Sequence, residues 1–278
     1  MPRHLPLVLV IALLAVSASG VMVVAVDGVH PVVLALGRTA LVALLLIPGL
    51  RPIAVPDLLR IGLAGLCLAA HFVTWFMSLE TTSVMRSTLL VCLNPAWAGL
   101  LGWFLLRERP QQRFWYGLAV ALVGVLVLAS GGDGNEGSWR GDLLATLGGI
   151  LAAAYFVLGR SVRARVGIGT YACLVCASAA GALGLATWVL DLPVLAGLDT
   201  RNSLLIVGLA LGPQLLGHNG FNYALRWLPA STVASVVLLE PVGATLLAFL
   251  LLSQVPTLAG ILGGVLVLAG VLHGARGQ

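Results

Sequence analysis

Charge is what this sequence has least of. Only 9% of its 278 residues are charged, lysine is absent, and all 15 basic residues are arginine. A chain that is 60% hydrophobic, with a mean hydropathy of +1.07, has too little polar surface to cover a soluble domain. The usual catalytic signatures are missing too. There is no H-E-x-x-H, no G-x-S-x-G, no paired aspartate motif at a membrane edge and no Walker A sequence. These absences argue against an intramembrane enzyme and against ATP-driven pumping by this chain. Cysteines are few. Cys173 and Cys176 form a C-x-x-C, but on an apolar run with no further ligand nearby, so packing is expected rather than redox or metal chemistry. No metal and no cofactor is expected. The net charge of +5 does not imply a nucleic-acid partner, because arginines in so apolar a chain mark the cytoplasmic ends of helices.

What fills the chain is a series of apolar runs of about 20 residues, the length a helix needs to cross hydrocarbon. Ten fall at about 6–27, 31–50, 57–79, 83–106, 113–130, 142–160, 170–190, 203–225, 231–252 and 256–273. The first follows Met1-Pro2-Arg3-His4 and imitates a signal peptide. Nine more runs follow and no small-residue cleavage site is evident, so it is read as a retained span. Ten spans put both termini on one side of the bilayer. Eleven arginines lie on that side and two, Arg140 and Arg201, on the other; Arg38 and Arg86 lie inside spans. The bias predicts cytoplasmic termini. Residues 131–141 contain Gly132, Gly134 and Gly137 in a literal G-x-G-x-x-G, but between two spans and without a βαβ setting, so the stretch reads as an extracytoplasmic linker.

The chain repeats itself at an offset of 146 residues. Pro95 aligns with Pro241, Pro110 with Pro256, Gly117 with Gly263, Gly124 with Gly270, and Trp75 with Phe221. The predicted fold is therefore all-α and polytopic, with ten transmembrane helices as two inverted five-helix repeats, residues 1–130 and 142–278. A second copy of an odd-numbered unit enters the membrane from the opposite side, and inverted repeats serve alternating access in secondary transporters. The rival readings are a duplicated membrane scaffold that carries nothing and, more remotely, an intramembrane enzyme.

His30-Pro31 with Arg38 resembles the second span of the drug/metabolite transporter superfamily, EamA type. So do Leu93-Asn94-Pro95 with Glu108 and Pro110, Gly141-Asp142, Arg160, and Leu239-Glu240-Pro241. The resemblance covers essentially the whole chain. It departs at Gln254, where an acid is expected after the ninth span. The resemblance implies an inner-membrane carrier, often an exporter of amino acids or other small metabolites. It also implies a cavity lined by spans 1–4 and 6–9, with spans 5 and 10 peripheral.

Several polar residues sit at membrane depth, where they usually work. Gln214, His218 and Asn222, spaced i, i+4, i+8, share one face of an α-helix and form either a cavity wall or interhelical glue. Glu240 lies about ten residues into its span, roughly 15 Å deep. It is either a proton-coupling site or the charge partner of Arg38 or Arg86. Each arginine could instead hold a substrate carboxylate. His71 either binds substrate or is a satisfied hydrogen-bonding group. Trp75, Asn94 and Tyr155 are further candidates for a cavity wall. Pro95 and Pro241 should interrupt their helices. Gly208/Gly212 should serve packing, and Gly260/Gly264 packing or a homodimer contact. The expected partners are a small-molecule substrate and the lipid bilayer.

Overall fold

The computed structural model describes residues 1–82, 84–129, 138–252, 255 and 257–275, except the side chains of 84–86, 89, 128, 129, 248, 251 and 252. Residues 131–137 of the Gly-rich linker, Gln254, Pro256 and the Arg86 side chain thus lie outside the described residues, while Trp139–Gly141, read as linker, already belong to a helix. Everything described is helix or connection, with no strand. Among the described residues eight helical stretches are long and apolar enough to cross a membrane, and Gln112–Val127 is a shorter apolar helix. Large aliphatic side chains such as Leu7, Leu44, Leu59, Leu185 and Leu268 face outward, as they do where the surrounding solvent is hydrocarbon.

The first stretch is α1 (Leu5–Ser17) followed by α2 (Ser19–Ala25). The break has a local cause. Ser17 Oγ donates back to Leu13 O at 2.8 Å and reaches across to Glu240 O at 3.2 Å, inserting a side chain into the helical ladder. Helix α3 (Pro31–Leu46) opens on Pro31, whose missing N–H costs nothing at a first turn, while His30 Nδ1 accepts from Val32 N at 3.2 Å. Next comes α4 (Val55–Thr81).

The fourth apolar run is not continuous. It comprises α5 (Val84–Val91), a break at Cys92–Leu93, α6 (Asn94–Leu101) and a π-helical turn, Gly102–Leu106. Pro95 cannot donate to the turn before it and its ring crowds the carbonyl of Val91, so the helix restarts at Asn94. The ninth run breaks in the same way, between α12 (Ala230–Val237) and α13 (Glu240–Leu252), one turn before Pro241 is absorbed.

In the first half the remaining helix is α7 (Gln112–Ala129). The second half supplies α8 (Trp139–Arg163), α9 (Ile168–Val189), α10 (Thr200–Leu209), α11 (Asn219–Ala224) and α14 (Leu258–Ala275). Between α10 and α11, residues Ala210–His218 are π-helical around Pro213. Asp199 caps α10, accepting from Asn202 N at 2.7 Å.

Most helices pack around one core. Helices α4 and α8 pair extensively, as do α3 and α9. The most extensive pair, α7 with α14, builds a second, smaller core from Phe114, Leu118, Ala121, Val125, Val267 and Val271. That pair depends on glycine. A Cβ on Gly270 would lie 2.5 Å from Ala121 N, and one on Gly124 would lie 2.7 Å from Gly263 O, so the two antiparallel backbones touch there. At one end of the bundle, Gly28 (φ 71°) and Gly197 (φ 72°) bring two connections together in a left-handed conformation that other residues resist.

Candidate functional site

Breaking the fourth and ninth runs at equivalent places sets Asn94 and Glu240 on the wall of one space between the helices. Both line a chamber of about 40 Å³. The other polar and aromatic walls are Ser19 from α2, His71 and Trp75 from α4, Tyr155 and Phe156 from α8, His218 from the π-helical segment and Phe221 from α11. Val16, Val91, Ala152 and Val237 complete it. Of the sequence candidates, His71, Trp75, Asn94, Tyr155, His218 and Glu240 are therefore brought together. At roughly 10–15 Å³ per molecule, the chamber has room for about three waters.

The rings are mutually packed. His71 stacks on Trp75 (centroids 5.9 Å, planes 10° apart), and His218 meets Phe72 edge-on at 5.2 Å and Tyr155 at 6.1 Å. His71 Nδ1 donates to Gly148 O at 2.9 Å, possible because Gly148 carries no side chain where α8 passes α4. In a neutral ring this leaves Nε2 as an acceptor. Glu240 is the first residue of α13, so its carboxylate sits where free N–H groups favour negative charge. Trp75 Nε1, Asn94 Oδ1 and His218 Nδ1 have no protein partner, although Trp75 and Asn94 are only 7% and 3% exposed. Buried polar atoms left this way want a ligand or water.

Gln214 and Asn222 stand behind this wall. Gln214 donates from Nε2 to Cys176 Sγ at 3.5 Å. Asn222 donates to the Tyr155 hydroxyl and, at 3.3 Å, to Asn219 Oδ1, so it fixes the chamber's tyrosine from outside. Of the two readings of that stripe, Gln214 and Asn222 thus serve as contacts between helices, and among the described residues His218 alone of the three lines the chamber. Arg38 does not line the chamber either. It is fully buried, with its guanidinium 4.2 Å over the Phe72 ring and Nη1 3.4 Å from Ser19 Oγ. Among the described residues no ion pair joins it to Glu240.

Sequence reasoning passed over Ser19, Phe156, Phe221, Val91 and Val237 as walls. The offset of 146 contained part of the answer. Trp75 and Phe221, Val91 and Val237, and Asn94 and Glu240 are each one offset apart, and all six line the chamber.

The two ends of the bundle differ. At one end a vestibule of about 550 Å³ opens between Asp27–Pro31, Leu79, Glu80, Pro193 and Ala196. Phe76 lines it, while its neighbour Trp75 lines the chamber; with ring centroids 5.3 Å apart they form a septum between the two spaces. The opposite end is rich in arginine and is tied shut. Arg160 Nε donates to Glu108 Oε1 at 2.8 Å and its Nη1 to Leu225 O at 3.0 Å. Arg163 Nε donates to Asn222 O at 2.9 Å. Arg165 binds Asp57 twice, Nη2 to Oδ1 at 2.6 Å and Nε to Oδ2 at 3.2 Å. That hydrogen bond, against partial desolvation, raises the Arg165 guanidinium above its ordinary value.

The sequence model of the EamA-like transporter family matches residues 4–130 and 139–273. The chain belongs to that family. Among EamA relatives, the "uncharacterized transporter YdfC" of Bacillus subtilis (strain 168) is 27% identical over 256 residues, covering 88% of this chain and 82% of that protein. The "uncharacterized transporter YwfM" of the same organism is 25% identical over 211 residues, covering 76% and 71%. A shorter match, 33% over 73 residues, covers 26% of this chain and 66% of a protein from Salmonella enteritidis PT4. That protein is called "probable 4-amino-4-deoxy-L-arabinose-phosphoundecaprenol flippase subunit ArnE". A solved crystal structure shares the fold, with a TM-score of 0.82 over 99% of this chain and 98% of that one, at 20% identity. This chain is thus a multi-pass membrane protein of a transporter family, whose substrates are small molecules.

Proposed function

We propose that the chain is a secondary transporter that exports small metabolites, such as amino acids, across the bacterial inner membrane by alternating access. In this reading it has ten spans, with two inverted repeats, 1–130 and 142–278, joined by an extracytoplasmic linker at 131–141. The observation that carries it is the chamber whose walls come in offset pairs, Trp75/Phe221, Val91/Val237 and Asn94/Glu240. A site shared equally by two repeats is one that either repeat can uncover.

Helix pairing supports the repeat. Pseudo-symmetry exchanges α4–α8 with the packing of α1 on the π-helical segment and α11, and both contacts are present. It exchanges Gly117 against Gly270 with Gly263 against Gly124, and both crossings are present. The arginine bias makes the tied end cytoplasmic, so the vestibule opens outward and this conformation is closed to the cell interior. Glu240 is the proton-coupling group of this reading, being the chamber's one carboxylate and lying near the middle of its span. A scaffold would have no use for a chamber lined by unpartnered polar atoms.

The test is an untargeted comparison of the medium from cells with and without overexpression. One or more small metabolites should accumulate outside the overexpressing cells and not outside cells making Glu240→Gln. Identical media would count against export.

A further inference from the structure

The geometry points to a protonated primary amine, rather than a carboxylate, as the group the central chamber is built to hold. This rests on the transporter reading above and names what such a site would recognise.

The chamber is rich in acceptors. Glu240 supplies a carboxylate, Asn94 an Oδ1 with no partner, and His71 an Nε2 left free because Nδ1 donates to Gly148 O. An alkylammonium carries three N–H donors and no acceptor, which complements that set. Trp75 Nε1 is an unpartnered donor of fixed direction, and His218 Nδ1 donates or accepts according to its tautomer. Among the described residues no arginine lines the space. Arg38, the nearest cation by contact, is held away on the Phe72 ring and Ser19, whose hydroxyl intervenes. A carboxylate entering here would meet Glu240 without a guanidinium to receive it. Four aromatic rings, Trp75, Tyr155, Phe156 and Phe221, favour a cation at their faces and an apolar body beside it.

The approach has the same sign. Asp27 and Glu80 line the vestibule, and among the described residues no arginine does. Arg201 lies in an adjoining cleft, where Asp27 and Asp199 outnumber it. Carboxylates along a low-dielectric passage concentrate cations and repel anions. In this conformation the chamber fits the ammonium head group; the Trp75–Phe76 septum must part to admit the body.

Three solutes that share a 2-phenylethyl group decide the matter: 2-phenylethylamine, phenylalanine and 3-phenylpropionate. Each is titrated calorimetrically into the full chain in nanodiscs, with empty nanodiscs as the blank. The amine should bind at least about tenfold more tightly than the zwitterion, and the anion should not bind. Glu240→Gln should erase the preference and Glu240→Asp should keep part of it. If Glu240→Gln does not fold, the comparison on the unaltered chain and the same comparison on Asn94→Leu, expected to weaken amine binding severalfold, remain decisive. Equal or tighter binding of phenylalanine or 3-phenylpropionate overturns the inference, as does an unchanged preference in folded Glu240→Gln. Binding of none of the three overturns it too. The transporter reading is judged separately, by whether the chamber can be reached from both sides of the membrane.

Discussion

Arg160 Nε donates to Glu108 Oε1 at 2.8 Å, tying the end of α8 to the chain just past the π-helical turn of the fourth run. Both side chains are partly exposed, at 23% and 30%. The pair should therefore contribute little to overall stability, under about 1 kcal/mol. Its effect is on which end of the bundle is closed. Glu108→Gln should leave thermal stability almost unchanged while raising thiol labelling of a chamber cysteine from the arginine-rich end about threefold, the population shift such an energy allows. Unchanged labelling would remove the pair from the closure.

Asp57 and Arg165 tie the start of α4 to the connection after α8. Arg165 is half exposed, so Asp57→Asn should cost about 1 kcal/mol or less. The sign with pH follows from the raised Arg165 guanidinium. A group whose folded value is raised stabilises fully below its unfolded value and loses that only as pH rises through the folded one. The unfolded value already lies far above neutral pH, as for any guanidinium. Arg165 titration should therefore produce no loss of stability between about pH 6 and pH 10. Detergent unfolding midpoints across that range check it in wild type and Asp57→Asn.

The α7–α14 crossing should be the most sensitive place to add a single methyl group. Gly270→Ala puts a Cβ against the backbone of Ala121 and should cost about 1–3 kcal/mol. Gly181→Ala in α9 meets nothing within 4 Å and should be neutral or stabilising by up to about 1 kcal/mol. Unfolding midpoints of the two variants in the same detergent give the comparison.

Tyr155→Phe should be costlier than the loss of one oxygen implies. The buried Asn222 amide loses its acceptor on Tyr155 and keeps only the 3.3 Å bond to Asn219. Leaving such a donor short costs about 1–3 kcal/mol. Removing both groups, in Tyr155→Phe with Asn222→Leu, should recover part of it. A double variant no more stable than the single one would mean that the bond matters little.

Much of this architecture was legible in the residues. Apolar runs of spanning length, Pro95 and Pro241 follow directly from the hydrocarbon thickness and from an imino acid that cannot donate. His71, Trp75, Asn94, Tyr155, His218 and Glu240 were legible because polar or aromatic groups at depth need an interior. Gln214 and Asn222 left two readings open, cavity wall or interhelical glue, and only the bonds to Cys176 and Tyr155 decide for the second. Arg38 was ambiguous because distance between spans is not written in the sequence; the structure sets it on Phe72 instead of against Glu240. Phe221 was hidden by being apolar, although the offset from Trp75 identifies it.

Alternating access itself is tested by Val237→Cys in a chain whose four native cysteines are replaced. Val237 lines the chamber and is neither charged nor hydrogen-bonded through its side chain. Oriented proteoliposomes are exposed to a membrane-impermeant thiol reagent from one side and then, in a parallel sample, from the other. Labelling from both sides, with Glu108→Gln increasing it from the arginine-rich side, is the expected result. Labelling confined to the vestibule side under every condition would contradict transport through this chamber.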